Sequence, residues 1–221
     1  MAAAAADLSI FAHGEGTTVH VQGGSIEGGT QGVTVQAGAR LEASGLDVTK
    51  VDVLGLQVQD KRSHLLLTAC KVHDLLPCAL EKDFTYGVLV QAGGSAQLKK
   101  CHISLCGHGA GAHHEGSRLE AEGCTFQRNV QCGVFPSYAA EVVVSGCHST
   151  NNGAHGLWAQ QMATLTTIQG CVRRNQGTDC GAHSGGRLEM QGVEVGGVMA
   201  TRTLGTWLKL MRRLRGLIRI G

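Results

Sequence analysis

Four His and Cys residues recur at nearly equal spacing and could bind a metal ion. They are His108, Cys132, His155 and Cys180, each about 24 residues from the next. Imidazole and thiolate groups bind soft metals such as zinc or copper. A straight line of ligands does not give a tetrahedral site, however, and the chain has no C-x-x-C or H-x-x-x-H motif. We therefore expect no metal and no other cofactor, and we interpret the four residues as turn packing, with a metal site as the alternative.

Carboxylates that could catalyse hydrolysis or bind calcium are scattered along the chain. Inverting glycosidases need two carboxyl groups about 6.5–9.5 Å apart, and calcium sites need several converging oxygens. The acidic residues show no such grouping: Glu42, Glu120, Glu122, Glu141 and Glu189. The sequence therefore predicts no catalytic residue and favours a protein that is not an enzyme.

A third set of residues could bind a partner without reacting with it. Polar and aromatic side chains recur two and four residues after a repeated Gly, where they are expected to face outward together. The candidate binding residues are Gln91, His113, Phe135, Trp158, Gln160 and His183. Glutamines present donors and acceptors in a row, and rings can stack on a sugar or a partner side chain. The alternative is a polar outer surface that only keeps the protein soluble.

The elements that position these residues follow from an internal repeat. Gly32-Val33-Thr34-Val35-Gln36-Ala37-Gly38 recurs as Gly87-Val88-Leu89-Val90-Gln91-Ala92-Gly93. Weaker copies open at Gly55, Gly109, Gly133, Gly156 and Gly181, and a degenerate one near Ile10. Apolar residues alternate with polar ones inside each copy, which is typical of strands. A period of about 23 residues with several strands predicts one coil of a solenoid per copy, with an insertion of about nine residues around Asp74–Phe84.

Two further columns, meaning residues at equivalent positions of successive coils, support this period. Five cysteines form one column that continues as Leu46 and Val193: Cys70, Cys101, Cys124, Cys147 and Cys171. Because Cys shares this column with Leu and Val, we expect buried thiols; a metal site or a chain of disulfides is the alternative. Asn129, Asn152 and Asn175 form the second column, with Cys106 one step earlier. Stacked Asn side chains can hydrogen-bond along the coil axis.

The G-V-x-V-x-x-G copies, the Gly-Cys steps and the Asn column resemble the right-handed β-helix repeat superfamily. That superfamily includes pectate lyases, polygalacturonases, alginate epimerases and the β-helix regions of some F-box proteins. The resemblance implies an all-β, single-stranded right-handed parallel β-helix of about eight coils over residues 10–198, after a lead or cap of residues 1–9. Such motifs specify the fold well and the function poorly.

The enzymes of that superfamily also show which motifs to look for. Gly107-His108-Gly109 is similar to the polygalacturonase G-H-G, but the chain has no N-T-D motif and no Asp pair, and Arg219-Ile220-Gly221 only approaches R-I-K. Val72-His73-Asp74-Leu75 lacks the first Asp and the Pro of the epimerase D-P-H-D. Gly107-His108-Gly109 is therefore interpreted as a turn of the repeat.

The tail of residues 199–221 differs from the rest of the chain. It carries six basic residues and no acidic one, and apolar residues recur at helical spacing from Leu204 to Ile218. The pattern predicts a short amphipathic helix. This helix either caps the last coil, or contacts a membrane surface or a calmodulin-like partner through Thr203–Ile220, or the tail is disordered.

Composition limits the partners and the compartment. Without the tail the chain is mildly acidic, so we expect no nucleic-acid partner. The start MAAAAADLSIFA lacks a basic region and a long apolar run, and nine Cys without a signal peptide are typical of reduced thiols. These observations predict a cytoplasmic protein.

The hypothesis that follows from the sequence as a whole is a non-catalytic binding or scaffold module for a protein or a carbohydrate. The alternative is a carbohydrate-active enzyme of the pectate-lyase-like superfamily.

Overall fold

The computed structural model describes residues 8–75, 85–196, 198–200 and 207–210, and its regular elements there are β-strands. In chain order the strands are β1 Leu8–His13, β2 Thr18–Gln22, β3 Ser25–Glu27, β4 Gln31–Gln36, β5 Arg40–Ser44, β6 Asp47–Thr49, β7 Leu54–Gln59, β8 His64–Thr68, β9 Lys71–His73, β10 Tyr86–Gln91, β11 Ser95–Lys99, β12 His102–Ser104, β13 His108–His113, β14 Arg118–Glu122, β15 Thr125–Gln127, β16 Val134–Ser137, β17 Glu141–Thr150, β18 Leu157–Gln160, β19 Thr164–Arg173, β20 Cys180–His183, β21 Arg187–Val195, β22 Val198–Ala200 and β23 Trp207–Leu210.

Each strand pairs in parallel with the equivalent strand of the next coil. The first sheet has nine strands in the order β1-β4-β7-β10-β13-β16-β18-β20-β22. The remaining strands form a second, larger sheet, which receives one long or two short strands from each coil. The register follows the repeat, since Val33 is opposite Leu56 and Leu56 is opposite Val88. The predicted all-β parallel β-helix of about eight coils is therefore confirmed.

The core is a continuous apolar column inside the coils. Val33, Val35 and Leu41 are fully buried in one coil, and Leu65 and Ala96 continue the stack above Leu41 in the next two. Alternation along each strand sends every second side chain inward. Burying one such aliphatic side chain contributes on the order of 2 kcal/mol, so the repeated coils supply the stability that a single coil lacks.

The cysteine column is formed by four of the five predicted members. Cys70, Cys101, Cys124 and Cys147 occupy equivalent positions and are buried. The prediction that Cys171 belongs to this column is wrong, because Gly170 is opposite Cys147 whereas Cys171 is opposite His148. The coils here repeat every 23 residues, and the 24-residue step from Cys147 therefore places Cys171 one position too far along the strand.

The asparagine column forms a chain of hydrogen bonds along the coil axis. Asn129 Nδ2 donates to Asn152 Oδ1 over 2.9 Å, and Asn152 Nδ2 donates to Asn175 Oδ1 over 2.8 Å. The chain ends at Asp179, whose Oδ1 accepts from Asn175 Nδ2 at 2.7 Å. At the other end, the backbone N–H of Cys106 donates to Asn129 Oδ1. The coils that contain Cys106, Asn129, Asn152 and Asn175 are thereby tied to one another at their turns.

The C-terminal end differs from the helix predicted for residues 199–221. Where this tail is described, Val198–Ala200 pairs with β20 and Trp207–Leu210 pairs with β21, both as parallel strands. The open edge of β21 offers unpaired backbone groups, and pairing with them outweighs the helical spacing at residues 207–210. The rest of the predicted helix lies outside the described residues. In the described part of the chain, no helix could cross a bilayer.

Candidate partner-binding face

The outer face of the first sheet brings most of the predicted binding residues together. Gln91 is opposite His113, His113 is opposite Ser137, and Gln160 is opposite His183, so these side chains share one column. Phe135 and Trp158 share the neighbouring column. The position predicted for His183 was wrong, because Gly181 rather than His183 is opposite Trp158. The last copy of the repeat opens two residues earlier than its glycine suggested.

None of the nine described strands of the first sheet contains Asp, Glu, Lys or Arg. The second sheet differs, since its outer face carries in-strand ion pairs such as Arg40–Glu42 and Arg118–Glu120 at 2.8 Å. Solvated sheet faces usually carry charge, whereas the centres of protein interfaces are depleted of it. The sequence alone did not reveal this feature, because the absence of charge becomes apparent only when the strands are assigned to their sheets.

Aromatic rings stack along the middle of this uncharged face. Tyr86 lies 4.7 Å from His108 and His108 lies 4.8 Å from Phe135, measured between ring centroids, with nearly parallel planes. Tyr86 also packs with Leu54 and Leu89 in a small apolar cluster outside the coil. Offset stacks of this kind contribute on the order of 1 kcal/mol each beyond burial. The rings thus hold one another in place across three coils.

His113 is bound to the same cluster through Tyr86. The Tyr86 hydroxyl lies 3.0 Å from His113 Nε2, and the ring of Tyr86 fills the space above Gly111, where a Cβ atom would lie 2.6 Å from it. Burial lowers the pKa of His113 to about 4 and that of His108 to about 3. Both imidazoles are therefore neutral near pH 7.

Trp158 lies on the next part of the face, toward the C-terminal end. Its indole stacks on the His155 ring with centroids 4.0 Å apart and planes 13° from parallel. His155 is fixed in turn because its Nδ1 accepts a hydrogen bond from the Thr178 N–H at 3.0 Å. His183 lies 6.5 Å from Trp158 and is also nearly parallel to it. One surface of the indole is thus covered by His155, and the side chain remains only half-buried.

Two exposed side chains border this part of the face. Tyr138, which follows β16, is 50% exposed, and Met162, which follows β18, is 71% exposed. Tyr138 stacks on His114 at 5.6 Å. Aromatic residues and Met are enriched where proteins contact one another, so these residues extend the face beyond the sheet. No pattern in the repeat identified them, because they lie in turns.

The glutamines of this face bind mainly to one another. Gln59 Nε2 donates to Gln36 Oε1, and Gln91 Nε2 donates to Gln59 Oε1 over 3.3 Å. Much of the hydrogen-bonding capacity that the sequence offered to a partner is therefore used within the column. The aromatic half of the face, around Phe135 and Trp158, is the better candidate.

The four residues considered as alternative metal ligands do not form one line. His108 Nδ1 accepts from the Cys132 N–H at 3.4 Å, which places these two residues in adjacent coils. Cys180 is opposite Leu157 instead of His155, and it is buried in the core. Within the described residues, no group of three or more His, Cys, Asp or Glu could hold a metal ion.

Shallow grooves lie on the described part of the outer face of the second sheet. One, of about 350 Å³, is lined in part by Gln97, Lys99, Glu120 and Glu122. The other, of about 330 Å³, is lined in part by His20 and Glu42. His108 of the G-H-G segment is buried on the opposite sheet, so it faces neither groove.

Comparison with known proteins identifies a family. The family model described as right handed beta helix region matches residues 31–195. No curated protein and no solved structure matches the chain.

Proposed function

The chain belongs to the right-handed β-helix family, and on that premise we propose that it is a non-catalytic binding module whose first sheet recognises a protein partner. The observation that carries the proposal is the outer face of this sheet, which combines half-buried rings with described strands that contain no Asp, Glu, Lys or Arg. The partner contacts the part of the face around Phe135, Trp158 and His183.

A charge-free face supports a protein partner because interface centres exclude charged groups. Placing Lys or Glu at such a centre forces its desolvation without a counter-ion, which is costly. The described strands of the second sheet carry ion pairs at equivalent outward positions, for example Arg187–Glu189. The fold itself therefore tolerates charge on an outer face, and its absence from the first sheet is specific to that sheet.

The orientation of the rings favours a protein over a carbohydrate. A sugar stacks flat on a free aromatic surface. His155 already covers one surface of Trp158, and Phe135 is stacked on His108. A protein side chain can instead pack against ring edges and against Tyr138 and Met162, which are the most exposed apolar groups beside the face.

The experiment compares two lysine substitutions on opposite sheets. Trp158→Lys places a charge on the uncharged face, whereas Thr166→Lys places the same charge on the outer face of the second sheet, opposite Glu189. Full-length tagged chains are used to capture proteins from cells of the source organism, and captured proteins are quantified by mass spectrometry. We expect partners that bind wild type and Thr166→Lys equally and lose at least tenfold of their binding to Trp158→Lys.

A parallel glycan array separates the alternatives. Glycan binding lost in Trp158→Lys, without a protein partner, would identify a carbohydrate ligand. If nothing that the protein captures depends on Trp158, the proposal is wrong. Turnover of pectin or alginate by the wild-type chain would instead support the alternative that the protein is a carbohydrate-active enzyme.

A further inference from the structure

Four free cysteines are stacked in the interior, away from the proposed binding face. Cys70, Cys101, Cys124 and Cys147 occupy one column of four successive coils, and each is buried. The described residues contain further buried thiols, including Cys106 and Cys180, but these have no cysteine at the equivalent position of an adjacent coil.

The same contacts recur at each step of this thiol column. The backbone N–H of Cys101 donates to Cys124 Sγ, and the N–H of Cys124 donates to Cys147 Sγ, both at 3.4 Å. Each Sγ also donates at 3.4 Å to the carbonyl oxygen two residues earlier, as Cys101 does to Lys99 and Cys124 does to Glu122. Because the side chains make the same contacts at equivalent positions, we infer that their sulfurs repeat at the spacing of parallel strands, about 4.8 Å.

That spacing matches a specific kind of metal coordination. Two metal–sulfur bonds of about 2.3 Å, placed end to end, span about 4.6 Å. A cation midway between two neighbouring sulfurs would thus be bound in a nearly linear arrangement without displacing a strand. We propose that adjacent thiols of this column bind a soft monovalent cation, Cu(I) or Ag(I), in two-coordinate sulfur sites.

The chemistry of the site agrees with this choice of cation. Thiolate sulfur selects soft metals such as Cu(I), and a site of two ligands does not require the clusters of three or more that the described residues lack. On binding, two thiols each release a proton, and one cation joins the two sulfurs as an anionic S–M–S unit. The backbone N–H groups that donate to Cys124 and Cys147 stabilise that negative charge.

The test compares two double variants that each remove two buried thiols. Cys101→Val with Cys147→Val leaves Cys70 and Cys124 two coils apart, so no adjacent pair remains. Cys106→Val with Cys180→Val is the control and leaves the column intact. Val suits the column because Leu46 and Val193 occupy it in other coils. The reduced full-length proteins are loaded anaerobically with Cu(I), challenged with a Cu(I) chelator and analysed for bound copper.

We expect the control to retain as much copper as wild type and the column variant to retain less than a tenth of it. Equal retention by the two double variants would overturn the proposal. If the column variant does not fold, Cys70→Val with Cys124→Val removes the adjacent pairs in another way. X-ray absorption of the wild-type copper complex needs no variant: two sulfur neighbours support the site, and a nitrogen ligand or a third ligand contradicts it.

Discussion

Asn152 Oδ1 accepts two hydrogen bonds from Asn129, one from its side-chain Nδ2 at 2.9 Å and one from its backbone N–H at 3.1 Å. Asn152 is fully buried. Its own Nδ2 donates to Asn175 Oδ1 and lies 3.2 Å from Ser149 Oγ. One side chain therefore satisfies polar groups of three successive coils, close to the start of the strand that carries Trp158.

Replacing Asn152 with Ala should destabilise the protein by about 2–4 kcal/mol, because several buried donors and acceptors lose their partner at once. The free energy of unfolding, measured by urea denaturation, checks this. Gln127→Ala serves as the control. Gln127 lies two residues before Asn129, is only partly buried and makes one weaker contact, at 3.3 Å to His102. A loss below 0.5 kcal/mol for Asn152→Ala would show that the asparagine column contributes little.

Gly111 makes room for the aromatic cluster on the outer face of the first sheet. A Cβ atom there would lie 2.6 Å from Tyr86 Cε1 and 3.0 Å from the Phe135 carbonyl oxygen. Gly111→Ala should therefore displace the Tyr86 ring, break its contact with His113 and cost about 1–3 kcal/mol, as overpacking does. The melting temperature measures the loss. Combining the substitution with Tyr86→Leu should recover part of the loss, and an undiminished loss would mean that Tyr86 is not the group displaced.

Much of the coil could be predicted from the sequence because its period is carried by many residues. The opening glycines of the copies repeat every 22 to 25 residues apart from one longer step at the insertion, and the Asn column repeats every 23, so an error at one copy does not shift the others. The strand register of the last coils could not be predicted from this period. Gly181 resembles an opening glycine, yet it is opposite Trp158, because backbone pairing rather than residue type sets the register of a strand.

The outer face of the first sheet was predicted in part for a related reason. Alternation along each strand placed Gln91, His113 and Phe135 on the outer surface. The bonds among the glutamines and the stacking of His155 on Trp158 depend on side-chain conformations that alternation does not specify. The absence of charge is a property of the whole sheet, so it emerges only when strands distant in sequence are assigned to that sheet.

The corrected position of Cys171 predicts a different reactivity from that of the column thiols. Cys171 is opposite the exposed residues His148 and Glu194 and is itself 6% exposed, whereas Cys124 faces the core and is fully buried. Core thiols react only when the coil opens, so a maleimide should label Cys171 at least ten times faster than Cys124 in the native protein. Peptide mapping by mass spectrometry measures both rates. Equal rates in the folded protein, with urea-unfolded protein as the reference, would contradict the outward position of Cys171.

Acid should destabilise the stacked rings because the two buried histidines of the face resist protonation. The pKa of His108 is lowered to about 3 and that of His113 to about 4, in both cases chiefly by burial. In the unfolded chain both titrate near the usual value of about 6.5. Below that pH the unfolded state binds protons that the folded state does not. The stability contributed by neutral His108 is therefore present above pH 6.5 and is lost progressively as the pH falls toward 3.

The expected loss from His108 alone is about 2 kcal/mol between pH 7 and pH 4.5, since each unit of pKa difference corresponds to about 1.4 kcal/mol. His108→Phe preserves a ring between Tyr86 and Phe135 but cannot be protonated. Urea denaturation of both proteins at the two pH values gives the comparison. His108→Phe should be less stable than wild type at pH 7, because the Cys132 N–H loses its acceptor, yet it should lose about 2 kcal/mol less on acidification. The same pH dependence in both proteins would show that His108 is protonated as readily in the folded chain as in the unfolded one.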